Sequence, residues 1–206
     1  MTERTHFNRG RKLPAEPLTE NEALALIKTC STRAPSGIRN RALIVILWRA
    51  GLRCSEALKL LPRDVDLKAG TIHVREGKGR KARVVGIDPM ASTVVEQWLA
   101  KRAELGIGRS APLLCQITKG KLGKPLQGSY VRHLLKRLGK RAGIEKRVHP
   151  HGLRHSFASS LADAGVNPHH IQQLLGHSNL ATTSRYISTL NPKAALDAVR
   201  NRKWNL

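Results

Sequence analysis

Residues 65–87 constrain the fold of this chain most, because they interrupt a pattern that otherwise reads as helix. TIHVR (71–75) and ARVVGI (82–87) cluster β-forming residues on either side of Glu76-Gly77-Lys78-Gly79-Arg80. That arrangement predicts a hairpin or a small three-stranded antiparallel sheet. Around it the punctuation is helical. Thr19 with Glu22 forms a capping box before Leu24, Leu26 and Ile27. A second helix is expected from about Ile38 to Ala50, with the apolar run Leu43–Trp48 at its centre and Gly51 as its stop. A short helix over Ser55–Leu61 should end at Pro62, and further helices are expected over Pro89–Leu105 and Ser129–Ala142. Pro150 suits the first turn of a helix ending near Gly165, and Asn167-Pro168 opens another that Gly176 closes. Ser178 or Asn179 can cap a short helix carrying Tyr186, and residues 192–200 allow one more. The expected fold is mainly α with a small antiparallel β-sheet, an α+β domain without internal repeats.

The charge narrows the partner. Lys and Arg number 37 against 14 Asp and Glu, a formal charge of +23. Such an excess predicts strong, salt-sensitive attraction to a polyanion. Aromatic residues make up only 3% of the chain, so contact with a duplex backbone is favoured over stacking on exposed bases. No long apolar run or basic amphipathic anchor points to a membrane. The opening stretch, MTERTHFNRGRKLPAEP, is polar and basic rather than a secretory leader; residues 1–18 read as a basic flexible arm with Arg4, Arg9, Arg11 and Lys12. The three cysteines, Cys30, Cys54 and Cys115, are scattered, odd in number and free of a CxxC pair. They fit packing positions in a reducing cytoplasm better than a disulfide framework or a zinc site.

Six residues stand out for chemistry: Arg53 in GLRCSE (51–56), Lys78 in EGKGRKAR (76–83), His151 and Arg154 in HPHGLRHSF (149–157), and His177 and Tyr186 in LLGHSNLATTSRY (174–186). Two arginines can bracket a phosphate, because guanidinium is planar, permanently charged and matched to phosphate oxygens. The tyrosine is the candidate nucleophile. Neither paired carboxylates for a metal nor a Ser/His/Asp arrangement competes for that role.

Taken singly, each of the six has a commoner structural role. Arg53 is ordinary on the face of so basic a chain. Lys78 sits at a Gly-Lys-Gly hairpin tip and is no Walker lysine, since Gly79 follows where Ser or Thr would hold magnesium. His151 and Arg154 lie three apart on neighbouring helical turns, with Arg154 expected at the rim of the stripe Leu153, Phe157, Leu161 and Ala164. His151 falls in the first helical turn, where free amides favour a phosphate. His155 reads as structural. His177 follows the glycine stop, and a tyrosine such as Tyr186 is usually a half-buried packing residue. The histidines lack HExxH spacing and acidic or cysteine partners, so no metal is expected.

The four segments together, in this order, resemble the catalytic domain of the tyrosine recombinase (phage integrase) family over roughly residues 18–190. GLRCSE resembles the first-arginine motif, the Gly-Lys-Gly hairpin the lysine motif, HGLRH the HxxR box, and LGHSNLATTSRY the histidine-to-tyrosine stretch. The resemblance implies a site-specific recombinase performing integration, excision or inversion without metal or cofactor. Tyr186 would attack a DNA phosphodiester, leaving a 3′-phosphotyrosine and a free 5′-hydroxyl. Arg53 and Arg154 would stabilise charge on the non-bridging oxygens, with a hydrogen bond from His177. Lys78 would protonate the departing 5′-oxygen, and His151 would assist proton movement at the nucleophile.

The resemblance also implies double-stranded DNA as partner, a homo-tetramer on synapsed sites, accessory DNA-bending proteins as candidate further partners, and a cytoplasmic, nucleoid-associated protein of bacterial, archaeal or phage origin. The expected organisation is an arm (1–18), a catalytic domain (19–190) and a tail (191–206) of the kind that docks on a neighbouring protomer. Larger members carry a separate core-binding domain ahead of the catalytic one, whereas about eighteen residues precede the first helix here. A minimal recombinase, a truncated chain and a degenerate relative are the three accounts, and the intact hexad argues against the last. Two other activities fit the residues less fully: relaxation of supercoiled DNA, as by a type IB topoisomerase, and non-cleaving regulation by a DNA binder.

Overall fold

The computed structural model describes residues 16–75 and 82–176. Lys78, His177, Tyr186, the basic stretch 1–15, the expected helices after Gly176 and the tail lie outside the described residues. Seven helices and three strands follow in the order α1 (Glu20–Lys28), α2 (Pro35–Arg49), α3 (Cys54–Lys59), β1 (Val65–Asp66), β2 (Thr71–Val74), β3 (Arg83–Gly86), α4 (Pro89–Glu104), α5 (Gly128–Arg141), α6 (Pro150–Asp163) and α7 (Pro168–Leu175), with a 3-10 turn at Pro62–Asp64. The described chain is therefore mainly helical with one small sheet, as its pattern predicts.

Local chemistry sets most boundaries. Thr19 caps α1 in a reciprocal box: its hydroxyl accepts from the Glu22 amide at 3.2 Å, and Glu22 accepts from the Thr19 amide at 2.7 Å. Asn167 caps α7, and Gly176 ends it in the left-handed region at φ 61°. α2 differs from expectation at its start. It begins at Pro35 rather than near Ile38, because the proline fills the first helical position where no amide is needed. Its N-cap is Ala34, which offers no side-chain cap; the Ser31 hydroxyl instead accepts from the amides of Arg33 and Ala34.

α2 is the central post. Leu43, Ile44, Ile46 and Leu47 are fully buried, so this helix is apolar on nearly every side and packs against α1, α3, α4 and α6. Trp98 of α4 is fully buried as well and donates its indole N–H to the Leu113 carbonyl at 2.7 Å. A second, smaller core joins Phe157 and Ala158 of α6 to Ile171 and Leu175 of α7. The sheet has the order β1-β2-β3, antiparallel throughout, with Ile72 paired to Val65 on one side and Val85 on the other. These three positions share the face turned to the core.

Residues 16–18 are tied to the domain. Leu18 is buried and its amide donates to the Ser156 hydroxyl of α6 at 2.8 Å. Lys146 binds the Pro17 carbonyl at 3.3 Å, Glu16 at 3.2 Å and Glu22 at 3.1 Å. None of the described helices is long and apolar enough to cross a membrane.

Candidate active site

The site is built where α3, β3, α6 and α7 meet. Arg53 is the N-cap residue of α3, and Glu56 stands at the third helical position, where a carboxylate can reach back to the cap. Glu56 does so, accepting from the Arg53 amide at 2.9 Å and from the Arg53 guanidinium at 2.7 Å. Its side chain is only 3% exposed. A buried carboxylate is stable only when paired and hydrogen-bonded. Arg83 adds two more bonds, with its two terminal nitrogens on the two carboxylate oxygens at 3.1 and 2.8 Å. Arg154 adds a third cation at 3.8 Å. Burial pushes the Glu56 carboxyl up, but the hydrogen bonds from Arg83 and Arg53 and the charge of Arg83 outweigh it and hold the group below its ordinary range.

The same three arginines cap the end of α7. Arg83 donates through Nε to the Leu174 carbonyl at 2.8 Å, Arg154 donates to the Leu175 carbonyl, and Arg53 donates to the Gly176 carbonyl at 3.0 Å. The last carbonyls of a helix have no partner within it and carry the negative end of its dipole, so cations are stabilised there. Three consecutive acceptors thus receive three different arginines. Arg154 also donates to the Gly51 carbonyl at 2.7 Å.

His151 follows Pro150 in the first turn of α6, behind the N-cap His149, whose ring accepts from the Gly152 amide at 3.3 Å. Its Nε2 lies 2.7 Å from Nε2 of His155, so one ring donates and the other accepts. The two rings meet edge to face, 4.1 Å between centroids. Part of the His151 ring faces solvent, yet burial of the remainder, then the charges of Arg154, His149 and Arg53, lower its pKa from the ordinary value of 6.5. At neutral pH the imidazole is therefore uncharged and can accept a proton.

Three of the six sequence-predicted residues, Arg53, His151 and Arg154, fall within the described chain, and one neighbourhood holds them. Lys78 lies in the connection between β2 and β3 by sequence, and His177 directly follows Gly176. Arg154 departs from its expected place. It is 2% exposed, inside the domain rather than at the rim of the apolar stripe, because Gly51, Leu175 and Glu56 supply acceptors for a buried guanidinium. His155, read as structural, is hydrogen-bonded to His151.

Sequence reasoning did not single out Glu56 or Arg83, although both stand in the quoted motifs. A signal for Arg83 exists: it precedes Val85 by two positions and pairs with buried Val74, so it occupies an inward-facing register of β3. Tyr130, the only other tyrosine, is engaged elsewhere, its hydroxyl 2.6 Å from a nitrogen of Arg39.

The described residues thus form a mainly helical domain with a three-stranded sheet, in which two arginines of different motifs stand beside a histidine. The chain belongs to the phage integrase family, whose model matches residues 16–191. It is 43% identical over 176 residues to the tyrosine recombinase XerA of Thermococcus kodakarensis, a match covering 85% of this chain and 58% of that protein. It spans less than two thirds of the length of such relatives. The crystal structure of XerA recombinase is similar at a TM-score of 0.75 and 33% identity, over 93% of this chain and 68% of that one. XerH site-specific recombinase, in a post-cleavage complex with a palindromic difH substrate, is similar at a TM-score of 0.72 and 29% identity, over 90% and 52% of the two chains.

Proposed function

We propose that this chain is the catalytic part of a tyrosine-type site-specific recombinase, cutting and rejoining double-stranded DNA through a 3′-phosphotyrosine. The observation that carries the reading is the convergence of Arg53 and Arg154 on one buried carboxylate and on adjacent carbonyls of α7. Such anchoring fixes donors before substrate arrives, and preorganised donors stabilise developing charge without reorganisation. The XerH substrate complex supports a DNA substrate for the chain.

In this mechanism the Tyr186 oxygen attacks the scissile phosphorus and the bond from phosphorus to the 5′-oxygen breaks. Arg53, Arg154 and His177 hold the non-bridging oxygens. His151, uncharged at neutral pH, takes part in removing the tyrosine proton, and Lys78 gives a proton to the 5′-oxygen. Attack by a second 5′-hydroxyl then releases Tyr186 and joins the new strand, so bond energy is conserved and no cofactor enters. The working assembly is a tetramer on two paired sites, with residues 191–206 in the contact between protomers.

Covalent trapping tests this reading. Nicked duplexes from source DNA, placed so that a short 5′-hydroxyl fragment escapes after cleavage, should give SDS-resistant protein–DNA adducts without metal. The adducts should vanish with Tyr186→Phe, and their DNA sequence gives the site. Tight binding with no adduct from the wild-type chain defeats cleavage by this chain alone, leaving a binder or a catalytic part that needs a further domain or partner.

Removing residues 1–15, which hold Arg4, Arg9, Arg11 and Lys12, should weaken DNA binding. It should also flatten the plot of log affinity against log salt by about 0.9 for each phosphate that the arm neutralises. Titrations between low and physiological salt measure this, and an unchanged slope excludes the arm from the phosphate backbone.

A further inference from the structure

We infer that Arg83 is a positioning residue for the phosphate site, acting through Glu56 and the end of α7 rather than by touching substrate. The inference rests on the recombinase reading above and adds a residue to it. All three guanidinium nitrogens of Arg83 make scaffold contacts: Nε on the Leu174 carbonyl, and the two terminal nitrogens on the two oxygens of Glu56. Its side chain is 11% exposed, between 3% for Arg154 and 26% for Arg53. Gly176 lies against it so closely that a Cβ there would meet the guanidinium at 3.2 and 3.3 Å. The fork therefore joins the start of α3, which carries Arg53, to the end of α7, whose next two carbonyls hold Arg154 and Arg53. β3 carries it, in register with Val74.

Two consequences follow from this geometry. Bidentate pairing fixes the plane of the Glu56 carboxylate, and that plane directs the Glu56 oxygen bonded to Arg53. The Nε contact fixes the α7 terminus along its axis, and with it the acceptors that aim the other two arginines. Without Arg83, Glu56 would keep Arg53 and the distant Arg154 as cationic partners, but it would lose the two-point contact that fixes its plane and one of its three arginine links to the end of α7. Misplacement of about 1 Å in such a site costs on the order of 100-fold in rate.

The test uses the full chain and the DNA site identified by trapping. Single-turnover cleavage and DNA affinity are measured for wild type, Arg83→Gln, Arg83→Lys and Arg53→Gln. Each is assayed on an ordinary phosphodiester and on a methylphosphonate at the scissile position, at a temperature where melting curves show each variant folded. The methylphosphonate lacks one charged non-bridging oxygen, so its cleavage depends less on well-placed arginines. Arg83→Gln should cleave the phosphodiester about 100-fold more slowly with DNA affinity unchanged, and most of that deficit should disappear on the methylphosphonate. Arg83→Lys keeps the charge but loses the fork and should lie between; it carries the comparison if Arg83→Gln does not fold.

An equal deficit on both substrates would mean that Arg83 only supports the fold, and overturns the proposal. If Arg53→Gln gains nothing from the neutral substrate, the phosphate-site reading itself fails, and the role of Arg83 fails with it. Relief for Arg53→Gln but not for either Arg83 variant separates the two, removing Arg83 alone.

Discussion

Glu56→Ala should lower the stability of the domain by about 3–5 kcal/mol, the usual cost of removing one partner from a buried ion pair. For a chain of this size that corresponds to roughly 6–20 °C in melting temperature. The carboxylate is buried and faces Arg53, Arg83 and Arg154, so its loss leaves cations packed together without the anion between them. Glu56→Gln should cost less, because one acceptor oxygen remains. The pH dependence identifies the charge as the cause. The folded-state pKa of Glu56 lies below its ordinary value of 4.5. Its stabilisation is therefore complete above that value and is lost as pH falls through the folded pKa. Urea unfolding of wild type and Glu56→Gln between pH 7 and 3 should show a constant gap at the upper end that narrows below about 4.5. A gap of the same size at pH 3 would mean that shape, not charge, makes Glu56 necessary. DNA cleavage by Glu56→Gln should fall even where the variant is folded, since the oxygens that aim Arg53 and Arg83 change character.

How much of this was legible in the sequence depends on the distance over which a residue finds its partner. α1 and α7 were readable because their signals are local: Thr19 and Glu22 cap one another, and Asn167, Pro168 and Gly176 bracket the other helix. The sheet was readable from alternation on either side of a glycine-rich stretch of sequence. The start of α2 was not, because Pro35 opens it behind Ala34, a residue with no capping side chain, while Ser31 binds the amides that precede it. Arg154 was misplaced for a deeper reason. By helical spacing it belongs beside a stripe, and a guanidinium is expected at the edge of one. Its acceptors come from Gly51, 103 residues earlier, and from Leu175, 21 residues later, and no window of local pattern contains them. Glu56 shows the converse. Its bond back to the Arg53 amide is local, but its burial depends on Arg83, 27 residues away on a strand. The candidate residues were named from ordered motifs, while their scaffold could be read only once the chain had folded.

Gly51→Ala should be nearly as damaging as the loss of Glu56, by a different route. Gly51 ends α2 at φ 60°, a conformation that costs an ordinary residue roughly 1–2 kcal/mol. A Cβ at this position would also lie 2.2 Å from a ring carbon of Phe157, with two more ring atoms at 2.7 and 2.9 Å. Phe157 is buried in the second core with Ile171 and Leu175, so the ring cannot move without disturbing α7. Overpacking of this kind adds about 1–3 kcal/mol, giving about 2–5 kcal/mol in all. The Gly51 carbonyl accepts from Arg154 at 2.7 Å, which transmits any shift of this turn to the site. Two comparisons separate backbone strain from collision. Asn tolerates the left-handed region better than Ala, so Gly51→Asn would be mild if strain alone mattered, whereas it should unfold at least as easily as Gly51→Ala. Phe157→Leu removes ring atoms from the clash and should recover part of the loss in the double variant, giving a coupling well outside the few tenths of a kcal/mol expected of independent sites. Strict additivity in chemical denaturation would place the damage in the backbone alone.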